Sequence, residues 1–312
     1  QGIATPLREG FAEVHAVIDG KAASVGIYAF AAPTYDLMYD AQHDSDRREL
    51  WIVRLGIDAT PRRWLPEGFW GEDAATNRDG TRIAFVSRDQ YLNTDIWVAN
   101  RDGSDLKRLT TYEGADDQPT WSPDGTKIVF RSSRAPHGQS QLWIMNADGS
   151  DQRNLMGNSF NTMDGAQSRP SIGTNGRIYF QMYYPWAERS VLASMPLDGT
   201  WEQVVLHTPA GYSDTDPSVS WDGSTIMLRR KQGSYDYGLV YTDLQANQFI
   251  VINYPGPGFT PAWSRNDQWI TYSSSPNGSN ALDVYVIRRN DFWRKQITVA
   301  AGGARNPVFI RR

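Results

Sequence analysis

The sequence predicts an all-β chain: a six-bladed β-propeller of four-stranded blades. Three observations carry this. First, a proline-led segment recurs, with Pro119, Pro170, Pro217, Pro261 and Pro307 separated by 51, 47, 44 and 46 residues. Second, a turn follows most of these prolines closely: Pro123-Asp124-Gly125, Thr174-Asn175-Gly176, Trp221-Asp222-Gly223 and Asn266-Asp267. An earlier copy, Arg78-Asp79-Gly80, keeps the turn without the proline. Asp-Gly and Asn-Gly between apolar runs mark hairpins, because the turn needs the positive φ that Gly and Asn tolerate. Third, Trp51, Trp97 and Trp143 recur 46 residues apart. A period of about 45 residues with four strands in each is that of a propeller blade. No long window shows the 3.6-residue period of a helix.

Each blade then follows in order. After the turn comes an alternating second strand: "RIAFVS" from Arg82, "KIVFRS" from Lys127, "RIYFQM" from Arg177, "TIMLRR" from Thr225 and "WITYSS" from Trp269. A third strand follows: "DIWVAN" from Asp95, "QLWIMN" from Gln141, "SVLASM" from Ser190, "YGLVYT" from Tyr237 and "DVYVIR" from Asp283. Short fourth strands such as "LKRLT" and "QRNLM" complete the blades. The expected blades span about 20–72 plus 305–312, 73–117, 118–167, 168–215, 216–259 and 260–304, within one domain. In the first of them, "SVGIYAF", "ELWIVRL" and "PRRWL" read as strands two, three and four. The C-terminal "RNPVFIRR" supplies the innermost strand and closes the ring, which buries edges that would otherwise invite aggregation. Residues 12–18 compete for that slot, but Pro307 matches the other copies, and proline is tolerated at a strand start. Residues 31–47 read as a long connection.

Composition narrows the function classes. Of 312 residues, 40% are hydrophobic and 21% charged, which supports a folded core. The formal net charge of -4 argues against a nucleic-acid binder, which normally carries a basic surplus. With no cysteine, disulfides, thiolate metal sites and cysteine nucleophiles are excluded together. Neither a run long enough to span a bilayer nor a Gly-x-Ser-x-Gly elbow occurs. The chain begins at Gln1 rather than Met, as expected where a secretory signal has been removed.

"PTWSPDGTKIVFRSSR" followed by "LWIMNADGSDQRNL" closely resembles the repeats of TolB-type propellers, and "TNRDGTRIAFVSRD" with "DIWVANRDGSDLKRLT" is a second good copy. The resemblance extends over nearly the whole chain, the other repeats being degenerate. It implies a protein exported to the bacterial envelope, periplasmic or extracellular, whose propeller face binds a protein partner. It also implies a possible place in a membrane-associated complex through a segment not present here. TolB proteins also carry an N-terminal α/β domain, and nothing in this sequence matches it.

Blade geometry singles out one face. The Asp-Gly turns lie at one end of the blades. Connections from strand two to three, and from strand four to the next strand one, lie at the other, around the channel mouth. Loops on a rigid scaffold suit binding. Just before the inner strands the sequence places Asp73, Asp116, Asp117, Arg169, Asp214, Asp216 and Arg305. After the second strands it places Arg88, Arg131, Arg134, His137, Tyr183, Tyr184, Trp186, Arg229 and Arg230. Arginine with tyrosine and tryptophan is the composition of interface hot spots. Set against this, the acids could serve only to cap turns, and Arg131 and Arg134 could simply pair with neighbouring acids.

Catalytic and metal chemistry find little support. The four histidines, His15, His43, His137 and His207, are scattered, and only His137 and His207 fall in loops of the binding face. Oligogalacturonate lyases are similar propellers with a histidine-held metal, but no His-x-His or His-x-x-His spacing occurs here. The Asp-Gly-Ser-Asp segments at 102–105 and 148–151 do not match a calcium loop and read as exposed turns. No metal and no cofactor is expected. The sequence thus points to a non-catalytic protein-binding or scaffolding propeller. The alternatives are a polysaccharide lyase or hydrolase using acids such as Asp116 and Asp216, and a lectin stacking a sugar on the Tyr183-to-Trp186 cluster. The enzymatic alternative requires carboxylates and an Arg or His to converge at the axis.

Overall fold

The computed structural model describes residues 10–18, 21–29, 35–44, 47–55, 60–88, 93–134, 139–156, 165–200, 205–243, 249–252, 258–275, 282–290, 294–298 and 303–312. Strands are numbered in chain order. β1 (Gly10–Ile18) and β2 (Lys21–Ala29) pair as a two-stranded antiparallel sheet of their own.

Six four-stranded antiparallel blades follow. Blade one holds β3 (Tyr35–Gln42), β4 (Arg48–Arg54) and β5 (Arg62–Arg63), with the C-terminal β26 (Arg305–Arg311) as its innermost strand. Blade two is β6 (Glu72–Thr76), β7 (Arg82–Arg88), β8 (Thr94–Asn100) and β9 (Lys107–Arg108). Blade three is β10 (Asp116–Trp121), β11 (Lys127–Ser132), β12 (Gln141–Asn146) and β13 (Arg153–Asn154). β14 (Ala166–Ile172), β15 (Arg177–Tyr184), β16 (Arg189–Pro196) and β17 (Val205–Leu206) make blade four. Blade five contains β18 (Tyr212–Val219), β19 (Thr225–Gln232), β20 (Tyr235–Asp243) and β21 (Phe249–Val251). The last blade is β22 (Gly258–Trp263), β23 (Trp269–Ser274), β24 (Asp283–Arg288) and β25 (Arg294–Gln296).

The C-terminal strand therefore closes the ring, and residues 12–18 do not fill that slot. One assignment changes. The second strand of blade one is β3, not the "SVGIYAF" run, whose residues 24–29 lie in β2. Residues 35–42, expected as part of a long connection, are a buried strand whose Phe309, Leu37, Met38 and Val53 neighbourhood needs the C-terminus to assemble.

Apolar side chains pack between blades. Six clusters of buried residues each draw on two adjacent blades, so every interface of the ring has one. Blades one and six share Leu37, Val53 and Phe309 with Trp269, Val284 and Val286. The turns repeat one hydrogen-bonding device. Asp79, Asp102, Asp124, Asp148, Asp198 and Asp222 each accept, through Oδ1, the backbone N–H and the hydroxyl of the Ser or Thr two residues on. These bonds favour the charged carboxylate and lower its pKa, as at Asp79 and Asp124. Gly80, at φ 73°, also seals the ring: a Cβ there would sit 2.6 Å from the Arg311 carbonyl oxygen.

Candidate functional site

Every inner strand carries a β-bulge at the same place, where its register against the second strand shifts. At each bulge one residue adopts left-handed backbone: Asp73, Gln118, Arg169, Asp216, Thr260 and Asn306, with φ from 47° to 53°. Bulges re-aim side chains, and these six line an axial cavity of about 180 Å³. Five immediately precede the repeated prolines and the sixth, Asp73, precedes Ala74. The proline register is thus a sequence signal for the whole ring, although Gln118, Thr260 and Asn306 carry no charge to draw attention to them.

Arg169 spans this cavity. Its Nη1 lies 3.5 Å from Asp73 Oδ1 of blade two and its Nε 3.3 Å from Asp216 Oδ1 of blade five. Its backbone N–H donates to Gln118 Oε1 at 2.7 Å. Burial works against the guanidinium's charge, but Asp73 and Asp216 outweigh it and raise its pKa. Asp73 responds oppositely: burial pushes it up to about 7, Arg169 only partly offsets this, and Asp40, Asp117 and Glu72 push the same way as burial.

Around this axis the expected arginines are held by carboxylates. Arg131 chelates Asp117 through Nε and Nη2; Arg134 pairs with buried Asp116 and lies 4.8 Å from the Trp143 ring centre. Arg88 pairs with Glu72 at 2.8 Å, and Arg230 grips Asp214 with two 2.7 Å bonds. Arg229 binds Asp236 and stacks on Phe259. Blade one adds Arg48 on Asp40, a pair that the sequence does not single out because Asp40 lies on β3, a strand defined by its pairing with the distant C-terminus.

Several placements differ from expectation. Asp73, Asp116, Asp117, Arg169, Asp214, Asp216 and Arg305 lie within the inner strands rather than before them, since the bulge lets pairing begin earlier. Asp116 is buried with Arg134, so it does not join Asp216 at the axis. His207 turns into blade four, where Nε2 meets Ser194 Oγ at 2.8 Å; burial and nearby Arg177 lower its pKa. His137 lies outside the described residues. Among the described residues no group of three or more His, Asp or Glu is placed to hold a metal.

Aromatic side chains mark the rim. Tyr183 and Tyr184 are the last two residues of β15, and Trp186 sits on a single 3-10 turn (Pro185–Ala187), 75% exposed, with the Tyr184 ring 5.5 Å from it. Tyr112, also exposed, occupies the connection between β9 and β10 on the same face, and exposed Tyr235 begins β20 beside the β19–β20 turn. The opposite end of the channel is bridged. Trp221, from the turn between β18 and β19, lies 4.1 Å from the Arg265 guanidinium and 5.8 Å from that of Arg78. These three come from blades five, six and two. Arg265 also donates to the Thr76 carbonyl at 2.9 Å, and burial lowers its pKa to about 10.

The TolB protein of the Tol-Pal system from Anaeromyxobacter dehalogenans is 40% identical over 78 residues, which is 25% of this chain and 17% of that protein. The crystal structure of TolB from Acinetobacter baumannii superposes with a TM-score of 0.74 at 16% identity, covering 88% of this chain and 66% of that one. An oligogalacturonate lyase in complex with manganese gives a TM-score of 0.54 at 12% identity, covering 92% of this chain and 99% of its own. At these identities the two structures share the fold alone. This chain covers less than two thirds of the length of either of those two TolB proteins. The model of the TolB beta propeller domain matches residues 72–242, more than half of the sequence. The chain belongs to the TolB beta-propeller family.

Proposed function

We propose that the protein is a non-catalytic binding module of the bacterial envelope, exported, which presents its channel-mouth face to a protein partner, as a scaffold or as a subunit of a membrane-associated complex. The observation that carries this is the placement of exposed aromatics. Among the described residues, Tyr112, Tyr183, Trp186 and Tyr235 are the exposed tyrosine and tryptophan side chains; Tyr112 and Trp186 stand on connections of that one face, and Tyr183 and Tyr235 on the strand ends that flank its β15–β16 and β19–β20 connections. Solvated Trp and Tyr on rigid loops bury large area at low ordering cost. Carboxylate-held arginines beside them fix the face before a partner arrives. Similarity to a Tol-Pal system protein agrees with an envelope partner. Among the described residues no helix is long and apolar enough to cross a membrane.

The test is affinity capture from native envelopes in mild detergent. A stoichiometric protein that co-purifies with the parent, and is lost with Trp186→Ala plus Tyr235→Ala, is the expected result. Recovery of the propeller alone, or a partner indifferent to both changes, would sink the proposal.

A second reading is favoured by Asp73. A carboxyl with a pKa of about 7 beside Arg169 and Asp216 at the channel axis suits proton transfer at neutral pH. That reading expects cleavage of some member of an acidic and neutral polysaccharide panel, abolished by Asp73→Asn. Full cleavage by the variant, or none by the parent, removes it.

A further inference from the structure

A second cavity, of about 40 Å³, opens on the channel-mouth face between blades one and two. Arg47, Arg48, Trp70, Gly71, Glu72, Val86 and Arg88 line it. Its walls carry three guanidinium groups and one carboxylate. Each arginine also has a carboxylate partner, Asp44, Asp40 or Glu72, so the cavity offers N–H donors rather than a large net charge.

The three arginines are tied to different degrees. Arg48 donates Nε to the Asp40 carboxylate and Nη2 to the carbonyls of Asp40 and Gly303. Arg88 places Nε at 2.9 Å and Nη2 at 2.8 Å from the same oxygen, Glu72 Oε1. Among the described residues, Nη1 of each has no partner. Arg47 is the loosest: its Nε is 3.8 Å from Asp44, with both side chains solvated, and its guanidinium lies 5.1 Å from the Trp70 ring centre. His43 at 4.5 Å and Arg63 at 5.6 Å also pack against that indole, and Arg63 pairs with Glu49 at 2.7 Å. Trp70 is thereby fixed as a wall, and Val86 supplies an apolar one.

We propose that this cavity binds a carboxylate group. Its volume holds about three water-sized atoms, the heavy-atom count of a carboxylate with its carbon. Free N–H edges from two anchored arginines, with a third able to swing in, match a planar monoanion. Tetrahedral phosphate, with five heavy atoms, exceeds that volume. The carboxylate comes from either of two sources, a free small acid or the C-terminus of a peptide. The site takes small probes directly, so it stands or falls separately from the protein-binding proposal.

The test uses the full chain labelled with nitrogen-15, with the Trp70 indole signal assigned by its loss in Trp70→Phe. Sodium acetate, acetamide, inorganic phosphate, and a tetrapeptide with a free or an amidated C-terminus are titrated at constant ionic strength. The expected result is a saturable shift with acetate, none with acetamide, weaker binding of phosphate, and affinity reduced about tenfold by Arg47→Ala or Arg88→Gln. Arg47 is solvated in a turn, so its variant keeps the fold intact. A free-ended tetrapeptide binding tighter than both acetate and its amidated form assigns the source to a chain terminus; equal affinities assign it to small acids. No saturable shift, unchanged affinity in both variants, or phosphate binding more tightly than acetate would overturn the proposal.

Discussion

Asp73 keeps a proton in the folded protein that it surrenders in the unfolded chain. Its folded pKa is about 7 against an ordinary 3.8. Below about pH 4 both states are protonated and Asp73 is neutral to stability. Between about pH 4 and 7 the unfolded chain loses the proton first, so this residue favours unfolding increasingly as pH rises; above 7 the penalty is constant. Asp73→Asn removes the titration, and Asn tolerates the left-handed backbone at φ 50°. The variant should gain on the order of 1 kcal/mol at pH 8, a Tm rise of roughly 2–4 °C, with the gap closing towards pH 4. A Tm below the parent's at pH 8 would show that the lost pairing with Arg169 outweighs the relief from burial. Thr260 occupies an equivalent slot, where a β-branched residue is strained; strain of this kind gathers at functional positions.

Elements divide sharply in how well the sequence displays them. The Asp-Gly hairpins were legible because their chemistry is local: one carboxylate, one hydroxyl and one N–H within three residues. Third strands were legible from their aromatic period. β3 was not, because alternation alone says that a strand exists without saying what it pairs with. Both β2 and β3 alternate, and the choice between them is made by β26, which lies at the far end of the chain. This dependence has a measurable consequence. Phe309 on β26 is buried against Tyr35, with ring centres 5.6 Å apart, and belongs to the cluster joining blades one and six. Phe309→Ala should destabilise by about 3–5 kcal/mol, read as a lowered denaturant midpoint, although it removes no catalytic or rim residue. A loss under about 1 kcal/mol would mean that the ring does not rely on this closure.

At the scale of the molecule, the ring made most of the site invisible to linear reading. Prolines gave the blade register and therefore the height of the axial ring, but contacts across the axis join blades two or three apart. Arg169 meeting Asp73, and Trp221 meeting Arg78, are separated by most of a hundred residues or more, with no spacing rule to announce them. Pairs within a blade, such as Arg131 with Asp117, were foreseeable as a bland alternative, and that is where the structure places them. The bridged end bears on how the channel can be used. With Trp221 and its two arginines as a floor, anything that occupies the axis must withdraw by the way it came. Such an occupant behaves as a finger in a thimble rather than a thread through a bead. It needs no free end to be loaded, a mid-chain loop serves as well as a terminus, and pulling it out requires no opening of the ring.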